Sequence, residues 1–491
     1  MEFTLRDYQQ KFCDKIVLSL GKYRSIIACA ATGAGKTKCF IYLAHRALSK
    51  GFTVLILTEA SKIYDQLTDE LHAGNINSNK KDGLILPRHI YIAMAQTLVR
   101  RPKMVEAFQQ QGQQLLIIND ECHIGTATAL IQQLLQNNPL LIGFTATPDF
   151  KFAKHLPLLY KAIAVGPQPH ELVNDGFLSP YKHYARVLAD FSGLKLKGGE
   201  YTEESQEAVF ESKKVYDGLV EDLQIQSFVK AVVFTASIKH CTHVCELLNE
   251  AGFPAVQVHS KNAQSGFDMA RYKDTDSGIN ICVSVGVLTK GWDFPPVDLI
   301  ILNRATTSLP LYLQMIGRGS RTAANKRCFT VLDYGGNYER HGLWDAEIDW
   351  QKKWNQKSKR KSEGVAPVKL CPKCQYINPI SVSLCKNCGH VFIAEVKPVS
   401  DAETKLVELT AIYSELRGKL LSQLSPHELA VYAKFKNKKA YAIRIAKRNE
   451  QTNPGWLAMF ARCMNYSNGW VYHQLKELPV ELIEFHDQFI R

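Results

Sequence analysis

The stretch AATGAGKT, residues 30–37, contains the residue types with the clearest chemical purpose in this sequence. It follows an apolar run and precedes a segment of helical periodicity, which is the setting of a phosphate-binding loop. Gly33 and Gly35 permit a tight turn whose backbone N–H groups face an anion at the start of the helix. Lys36 would then hold the β- and γ-phosphates of a nucleotide, and Thr37 would place its hydroxyl on Mg²⁺. The loop residues expected around the nucleotide are Thr32, Gly33, Ala34, Gly35, Lys36 and Thr37.

Two adjacent acids, Asp120 and Glu121, come directly after the apolar run 115–118. Burying carboxylates is costly unless a cation compensates for their charge. Open α/β sheets bind ligands at the carboxyl ends of their strands, so these acids would lie beside the phosphate loop. There Asp120 is suited to hold Mg²⁺, and Glu121 is suited to polarise the attacking water. Without the loop upstream, the pair would be typical of a solvated turn.

The stretch QMIGRGSR, residues 314–321, supplies two arginines in the second half of the motif-bearing region. Arg318 and Arg321 are three residues apart, so they share a helical face and can both point at phosphates across a cleft. Arginines placed in this way raise phosphoryl-transfer rates by roughly 10³ to 10⁵. Structural salt bridges are the alternative interpretation. Gly317 and Gly319 argue against it, because they expose backbone where a purely structural helix gains nothing.

Two sets of short β-rich runs must position these residues. RSIIACA, TVLILT, HIYIAM, QLLIIN and LLIGFTA form the first set, and KAVVFTA, AVQVHS, INICVSV, VDLIILN and CFTVLDY form the second, between about residues 229 and 334. Continuous apolar runs separated by helix-length segments indicate parallel strands that are buried on both faces. The sequence therefore predicts an α/β fold with two parallel-sheet lobes. Residues 166–228, between the sets, fit an interlobe connection without buried strands.

Four cysteines follow the second strand set with the spacing of a metal site, C-x2-C, ten residues, C-x2-C. Four thiolates complete the tetrahedral shell of Zn²⁺ and leave no open position, so the ion would be structural. A segment this short has little core, and metal binding would supply its folding free energy. A redox pair or unliganded thiols are the alternatives. The predicted zinc ligands are Cys371, Cys374, Cys385 and Cys388.

The amino-acid composition indicates the cellular compartment of the protein and the class of its binding partner. The chain has 491 residues, 13 cysteines and a formal net charge of +13. The other nine cysteines stand singly or within apolar runs, which is typical of a reducing compartment. The apolar runs fall far short of the roughly 20 residues that span a bilayer, so we expect a cytoplasmic protein without a membrane partner, nucleoid-associated in a bacterium or in the host cytoplasm for a phage. A basic charge favours a polyanionic partner such as nucleic acid, although a solvated lysine surface also produces it.

Two strongly basic stretches follow the second strand set. Residues 351–364, QKKWNQKSKRKSEG, have six cationic residues against one acid and fit either a solvated linker or a phosphate-contacting strap. Residues 434–448, KFKNKKAYAIRIAKR, interleave cations with Phe435 and Tyr441. Cations with aromatic rings suit phosphate contact and base stacking. A solvated amphipathic helix is the alternative for this second stretch.

The order of the motifs resembles that of the superfamily-two ATP-dependent helicases and translocases of the DEAD/DEAH type, over residues 3 to about 342. LRDYQQ is similar to their adenine-recognising segment, with Arg6 and Gln9 as its contacts. ATGAGKT is similar to motif I, DECH to motif II, TAT at 145–147 to motif III, LTKGWD to motif V and QMIGRGSR to motif VI. The resemblance implies two RecA-like lobes with ATP and Mg²⁺ between them. The residues that it places at the nucleotide or between the lobes are Gly291, Asp293, Gln314, Arg318 and Arg321.

The segment LDYGGNYERHG, followed by cysteine pairs, is similar to that of the RadD-like DNA-repair ATPases. This resemblance implies single-stranded or branched DNA as the substrate, a role in repair or recombination, and a single-strand-binding protein as a partner. Motif II reads Asp-Glu-Cys-His and departs from the Asp-Glu-Ala-Asp of the best-known RNA-unwinding branch. An RNA-directed ATPase is nevertheless an alternative, and a non-hydrolysing repair scaffold is another. Intact Lys36, Glu121 and Arg318 argue against the scaffold.

These observations together predict five parts of the chain. They are a first RecA-like lobe at 1–165, a second at 166–348, a basic linker at 349–365, a four-cysteine zinc module at 366–397 and a helical region at 398–491.

Overall fold

The structure is a computed structural model, and it describes most of the chain. The described residues are 4–59, 64–65, 67–68, 71, 74–76, 87–148, 153–185, 193–212, 218–286, 288, 292–355, 368–370, 377–379, 407–416, 419, 421–435, 439–451, 455–464, 466 and 468–475.

Lobe 1 is built on a seven-stranded sheet in which all strands are parallel and the strand order is β3-β4-β2-β5-β6-β1-β7. Its strands are β1 Ser25–Cys29, β2 Thr53–Thr58, β3 Gly74–Ile76, β4 Ile90–Met94, β5 Leu115–Asn119, β6 Leu140–Thr145 and β7 Ala162–Val165. Its helices include α1 Asp7–Tyr23, α2 Lys36–Ser49, α3 Ala95–Val99, α4 Pro102–Gln110, α5 Thr128–Leu134, α6 Leu156–Leu159 and α7 Pro169–Asn174.

Lobe 2 contains a second seven-stranded sheet, with the order β12-β13-β11-β14-β15-β8-β18. Its strands are β8 Tyr181–Ala185, β11 Lys230–Thr235, β12 Ala255–Val258, β13 Ile281–Ser284, β14 Val297–Asn303, β15 Phe329–Asp333 and β18 Val407–Glu408. Two short hairpins lie outside this sheet, β9 Leu196–Lys197 with β10 Glu200–Tyr201, and β16 Val368–Leu370 with β17 Ile377–Pro379. The helices of lobe 2 are α8 Glu203–Ser212, α9 Leu219–Ile225, α10 Ile238–Glu250, α11 Ser265–Lys273, α12 Leu309–Ile316 and α13 Asn337–His341.

The central strands of both sheets are buried on both faces, as their apolar sequences require. Every residue of β1, β5 and β11 is buried. Side chains on the two faces of a parallel sheet pack against covering helices, so such strands lack the alternation of a half-exposed strand. The predicted fold class, two tandem parallel-sheet α/β lobes, is confirmed.

One strand of lobe 2 lies where the sequence predicted a connection without buried strands. β8 pairs in parallel with β15, and its His183 and Ala185 are fully buried. Its sequence, Tyr-Lys-His-Tyr-Ala, has two adjacent polar residues at its centre and therefore does not resemble the continuous apolar runs of the other strands. The expectation of no buried strand in 166–228 was wrong for this reason.

After lobe 2 the chain returns to lobe 1. Helix α14, Trp350–Asn355, packs against the edge strand β7, and Trp350 and Trp354 are only 4% and 5% exposed. Just before the helix, the Ile348 backbone N–H donates to Gln168 Oε1 at 2.8 Å. We call residues 346–355 the strap. The predicted basic linker, 349–365, thus begins with a helix that buries two tryptophans.

The described part of the C-terminal region is helical. Its helices are α15 Leu409–Leu416, α16 Pro426–Phe435, α17 Lys439–Glu450, α18 Trp456–Cys463 and α19 Asn468–Leu475, which enclose a small apolar core of their own. The region docks on lobe 2, because β18 pairs antiparallel with β8 and Tyr184 Oη donates to Glu408 Oε2 at 2.8 Å. No helix among the described residues is long and apolar enough to cross a membrane.

Candidate active site between the two lobes

The loop 30–37 connects β1 to α2 with the geometry that its glycines allow. Gly33 and Gly35 have φ values of +94° and +74°, and Gly35 immediately precedes the first residue of α2. A side chain on either glycine would also collide with a neighbour, since a Cβ on Gly35 would lie 2.3 Å from Gln9 Nε2. The loop therefore presents bare backbone at the N-terminus of a 14-residue helix, where an anion is stabilised.

Lys36 stands at the start of α2 with its ammonium group over the loop. Its Nζ donates to the carbonyl oxygens of Ala30 and Ala31 at 3.4 and 3.3 Å. Burial lowers the pKa of Lys36, and the carboxylates of Glu121 and Asp120 oppose that shift. A partly buried cation with two long contacts to neutral carbonyls can form stronger bonds with an anionic phosphate.

Asp120 follows β5 directly and continues its pairing, because the Asp120 backbone N–H donates to the Leu57 carbonyl at 2.9 Å. Its side chain is buried. Burial, reinforced by the charge of Glu121, raises the pKa of Asp120 to about 7, while Lys36 lowers it. A divalent cation at this carboxylate would reverse the cost of burying it, so the residue fits the predicted Mg²⁺ role.

Glu121 adopts a backbone conformation that is rare for a residue with a side chain. Its φ is +45°, a left-handed geometry that costs on the order of 1–3 kcal/mol. Burial favours a high pKa for Glu121, but His123, Lys36 and Arg318 outweigh it and hold the pKa at about 2. Glu121 is therefore ionised, and the strained turn holds its carboxylate among the cations of the cleft.

His123 joins the DECH turn to the TAT turn. Its Nδ1 lies 3.2 Å from Glu121 Oε2 and 2.9 Å from Thr145 Oγ1, and the Thr147 backbone N–H donates to the same Thr145 hydroxyl at 3.0 Å. Motifs II and III are thus connected through one imidazole. The Thr147 hydroxyl itself is buried and meets no hydrogen-bond partner within the described ranges.

The arginines of lobe 2 reach across the cleft to the loop of lobe 1. A Cβ on Gly33 would lie 2.1 Å from Arg321 Nη1, so this guanidinium rests directly against the phosphate loop. Arg321 Nε donates to Asp293 Oδ1 at 2.9 Å, whereas the buried Nη1 meets no acceptor in the described part of the chain. An N–H group left in this position fits a phosphate oxygen.

Arg318 lies deeper in the interface than Arg321 and is only 9% exposed. Its Nη1 donates to the Trp292 carbonyl. Burial, together with the charge of Arg321, lowers the pKa of Arg318 to about 10, and Glu121 and Asp293 oppose the shift. Gln314 is buried on α12, one turn before Arg318, and Thr32 of the loop touches Gly317 at the end of that helix.

The two residues predicted to contact adenine, Arg6 and Gln9, lie in different environments. Gln9 is buried and both ends of its amide are engaged, since Oε1 accepts from the Arg6 backbone N–H and Nε2 donates to the Ala34 carbonyl, each at 3.0 Å. The Arg6 side chain is exposed, and its guanidinium lies 5.0 Å from the centre of the Phe177 ring. Gln9 therefore supports the phosphate loop, while Arg6 and Phe177 offer an open surface. Adenine contact by Arg6 and Gln9 stays a prediction.

Several predicted site residues are outside the described part of the chain. No group of three or more His, Cys, Asp or Glu side chains suited to a metal occurs within that part. The predicted zinc ligands and one motif V residue are not covered by that statement, because they lie outside the described residues: Gly291, Cys371, Cys374, Cys385 and Cys388.

One residue of the site has no counterpart in the sequence interpretation. His155 Nε2 donates to the Cys122 carbonyl at 2.8 Å, and its ring lies against Gly125. His155 thereby braces the turn that carries Glu121 through its contacts with Cys122 and Gly125. An isolated histidine in FKFAKHLP gives no sequence signal of such a role.

Comparison with known proteins supports this arrangement. Residues 2–150 match a family described as the type III restriction enzyme res subunit, and residues 214–323 match the helicase conserved C-terminal domain. A 51.5 kDa protein of Lactococcus phage (isolate 7-9) is 28% identical over 383 residues, which cover 77% of this chain and 81% of the phage protein. The IRC3 protein of Saccharomyces cerevisiae, named as an ATP-dependent helicase, is 26% identical over 359 residues, which cover 68% of this chain and 52% of the yeast protein. The match thus spans about half of that yeast protein.

The fold is shared with a solved structure. A fragment of a protein named as an HsdR subunit of a type I restriction enzyme, from Vibrio vulnificus YJ016, superposes with a TM-score of 0.53 at 22% identity, over 67% of this chain and 64% of that fragment. Several further relatives are named as ATP-dependent RNA helicases. Two parallel-sheet lobes close on a phosphate loop, a DECH turn and two arginines in the predicted order. The chain therefore belongs to the superfamily-two helicases and is a nucleic-acid-dependent ATPase of that superfamily.

Proposed function

We propose that this ATPase is a motor that moves on or remodels single-stranded or branched DNA in repair or recombination. The observation that carries the proposal is the closure of lobe 2 onto the phosphate loop, with Arg321 Nη1 buried beside Gly33 and without an acceptor in the described part of the chain. The terminal phosphate of ATP would supply this acceptor. ATP would thus stabilise contact between the lobes, and its hydrolysis would weaken that contact.

The site residues divide the chemistry among them. Lys36, Arg318 and Arg321 form a cationic cradle in which the charge of a transferring phosphoryl group is stabilised. Glu121, kept ionised by His123, Lys36 and Arg318, accepts a hydrogen bond from the attacking water and orients it. Thr37 and Asp120 would hold Mg²⁺, which neutralises phosphate charge when it is bound.

Loss of the terminal phosphate removes the acceptor of the lobe-2 arginines. The cleft then reopens, and alternating grip of the two lobes on a strand converts each cycle into a step. Contacts of such a motor are mainly to phosphates, which carry no sequence information. Recognition would therefore depend on strandedness or branching, and this agrees with the net charge of +13.

Two observations favour DNA over RNA as the nucleic acid on which the motor moves. The sequence of lobe 1 matches the restriction-enzyme family, whose substrate class is DNA, and its motif II is DECH. The RNA-helicase relatives favour the second candidate, an RNA-directed ATPase. The closeness to RadD-like repair ATPases, and with it a single-strand-binding protein as partner and a cytoplasmic or nucleoid location, rests on the sequence resemblance.

A substrate panel decides between the two candidates. Purified protein is assayed for ATP hydrolysis with single-stranded DNA, branched DNA, single-stranded RNA and duplex RNA of matched length. We expect the strongest stimulation by single-stranded or branched DNA, and preferential stimulation by RNA would reject the proposal in favour of the alternative. Unwinding and translocation are then scored on the preferred nucleic acid.

Substitutions in the site test the assigned roles in the same assay. Lys36→Ala and Glu121→Gln should each reduce stimulated hydrolysis by at least 100-fold without loss of folding, whereas the exposed Lys38→Ala on the same helix should retain it. Undiminished turnover by the Glu121→Gln protein would disprove the assignment of Glu121.

Zinc in the C-terminal half is a separate part of the proposal and rests on cysteine spacing alone. The test is the metal content of the purified chain before and after replacement of all four cysteines by serine. One zinc per chain is expected in the natural protein and none in the variant. Retention of the metal by the variant would contradict the assignment.

A further inference from the structure

The C-terminal helices contain a basic face that the site between the lobes does not use. On α17, the side chains of Ala442, Ala446 and Glu450 are fully buried in the helical bundle. The opposite side carries Tyr441, with its side chain 49% exposed, and the exposed Arg444 and Arg448. Spacings of three and four residues place these side chains on one face of the helix, which we call the α17 face.

The neighbouring lysines bind lobe 2, whereas the side chains of the α17 face do not. Lys434 Nζ lies 3.6 Å from Glu339 Oε1, and Lys439 Nζ donates to the Glu339 carbonyl at 3.2 Å. These lysines fix the bundle to lobe 2. Within the described ranges, the side chains of the α17 face make no hydrogen bond or ion pair, so their charge and ring are directed to solvent.

The attachment point places the N-terminal end of α17 near the ligand-binding edge of lobe 2. Glu339 lies on α13, which follows the carboxyl end of β15, and α12 begins after the carboxyl end of the adjacent β14. Parallel α/β sheets bind their ligands at this edge. Because β18 also extends the sheet of lobe 2, the bundle and its face are carried by that lobe.

We propose that the α17 face is an accessory nucleic-acid-binding surface of lobe 2, with Arg444 and Arg448 on phosphates and the Tyr441 ring stacked on an unpaired base. The inference rests on the proposed function and adds a grip outside the two sheets. Guanidinium groups suit phosphate oxygens, and an exposed ring between cations suits single-stranded nucleic acid. An acidic peptide would use the charges but leaves the ring without a base to stack on.

The test compares the affinity of the full chain for single-stranded DNA across a series of salt concentrations. Losing two phosphate contacts in Arg444→Ala/Arg448→Ala should make the slope of log K against log salt shallower by about 1.4. Tyr441→Ala should weaken binding by roughly 5-fold or more, whereas Tyr441→Phe keeps the ring and should bind as the natural chain does. Hydrolysis of ATP without nucleic acid should stay unchanged in all three variants.

A charge-matched control is available at the opposite edge of lobe 1. Lys22 and Lys50 are exposed at the ends of α1 and α2, beside the amino ends of β1 and β2. Lys22→Ala/Lys50→Ala removes the same charge and should leave the salt slope within about 0.3 of the natural value.

Three results would overturn the inference. One is an unchanged slope and affinity in the arginine variant while the natural chain binds DNA and is stimulated by it. Another is loss of binding to a polyglutamate peptide with DNA affinity retained, which would assign the face to an acidic protein. A natural chain that neither binds nor responds to any nucleic acid would instead defeat the proposed function, and the inference with it.

Discussion

Replacement of Trp350 by alanine should release the strap from lobe 1. Trp350 is 4% exposed against the edge strand β7. A buried tryptophan removes about 150–250 Å² of surface from water, which corresponds to about 4–6 kcal/mol. Truncation of buried tryptophan to alanine costs about 3–5 kcal/mol in practice. Even about 3 kcal/mol would shift the ratio of docked to undocked strap by roughly 150-fold.

Limited trypsin digestion measures this shift directly. Lys352 and Lys353 are exposed but lie within α14, where helical backbone is a poor protease substrate. Cleavage then tracks the population of undocked strap, provided that opening and closing are fast relative to cleavage. Cleavage after these lysines should accelerate by about 100-fold or more in Trp350→Ala, and by less in Trp350→Phe.

The matched control is Leu158→Ala, which removes a side chain that is 66% exposed just before β7. Its digestion should resemble that of the natural chain. Equal cleavage rates for Trp350→Ala and the natural chain, at equal protease concentration, would refute the argument that the strap is held by tryptophan burial against lobe 1.

The remaining predictions concern two histidines. His155→Ala should lower kcat for ATP hydrolysis by about 10-fold with little change in KM. The substitution frees the Cys122 carbonyl and loosens the turn that orients Glu121. A raised KM at unchanged kcat would show that the residue acts on nucleotide binding instead. His341 is buried, and burial lowers its pKa from 6.5 to about 4, so between these values the unfolded chain binds the extra proton. The free energy of unfolding should therefore fall as pH drops from 6.5 to 4, by up to about 1.4 kcal/mol per pH unit from this group. His341→Gln should flatten that part of a plot of unfolding free energy against pH. An identical plot for the variant would contradict the assignment.

The parts of the fold that the sequence predicts are those whose physics is local. Runs such as 115–118 and 231–234 are apolar throughout because both faces of the strand are covered, and they were recognised as buried strands. β8 contains Lys182 and His183 side by side, has no apolar run and was missed, since only its position between β15 and β18 makes it a sheet strand. β18 has two residues and no periodicity to detect.

The same distinction applies to the site. Lys36 and Glu121 are each recognisable within their own motif, because the spacing inside a motif reflects a single loop or turn. Gln9 lies 25 residues before the Ala34 carbonyl that its side chain binds, and His155 lies 33 residues after Cys122. Such contacts depend on how separate elements pack, so a single sequence does not contain them.

The strap has a further consequence for the segment that follows it. Residue 355 ends a helix seated on lobe 1, whereas residue 407 begins a strand paired with lobe 2. The intervening 356–406, which includes the four cysteines of the predicted zinc site, therefore links a helix on lobe 1 to a strand of lobe 2. If the cleft opens and closes as proposed, the distance between its two attachment points should change with it. The cysteine segment and the ATP cleft thus both lie between lobe 1 and lobe 2. A spectroscopic distance between labels at 355 and 407 would therefore report each opening of the cleft.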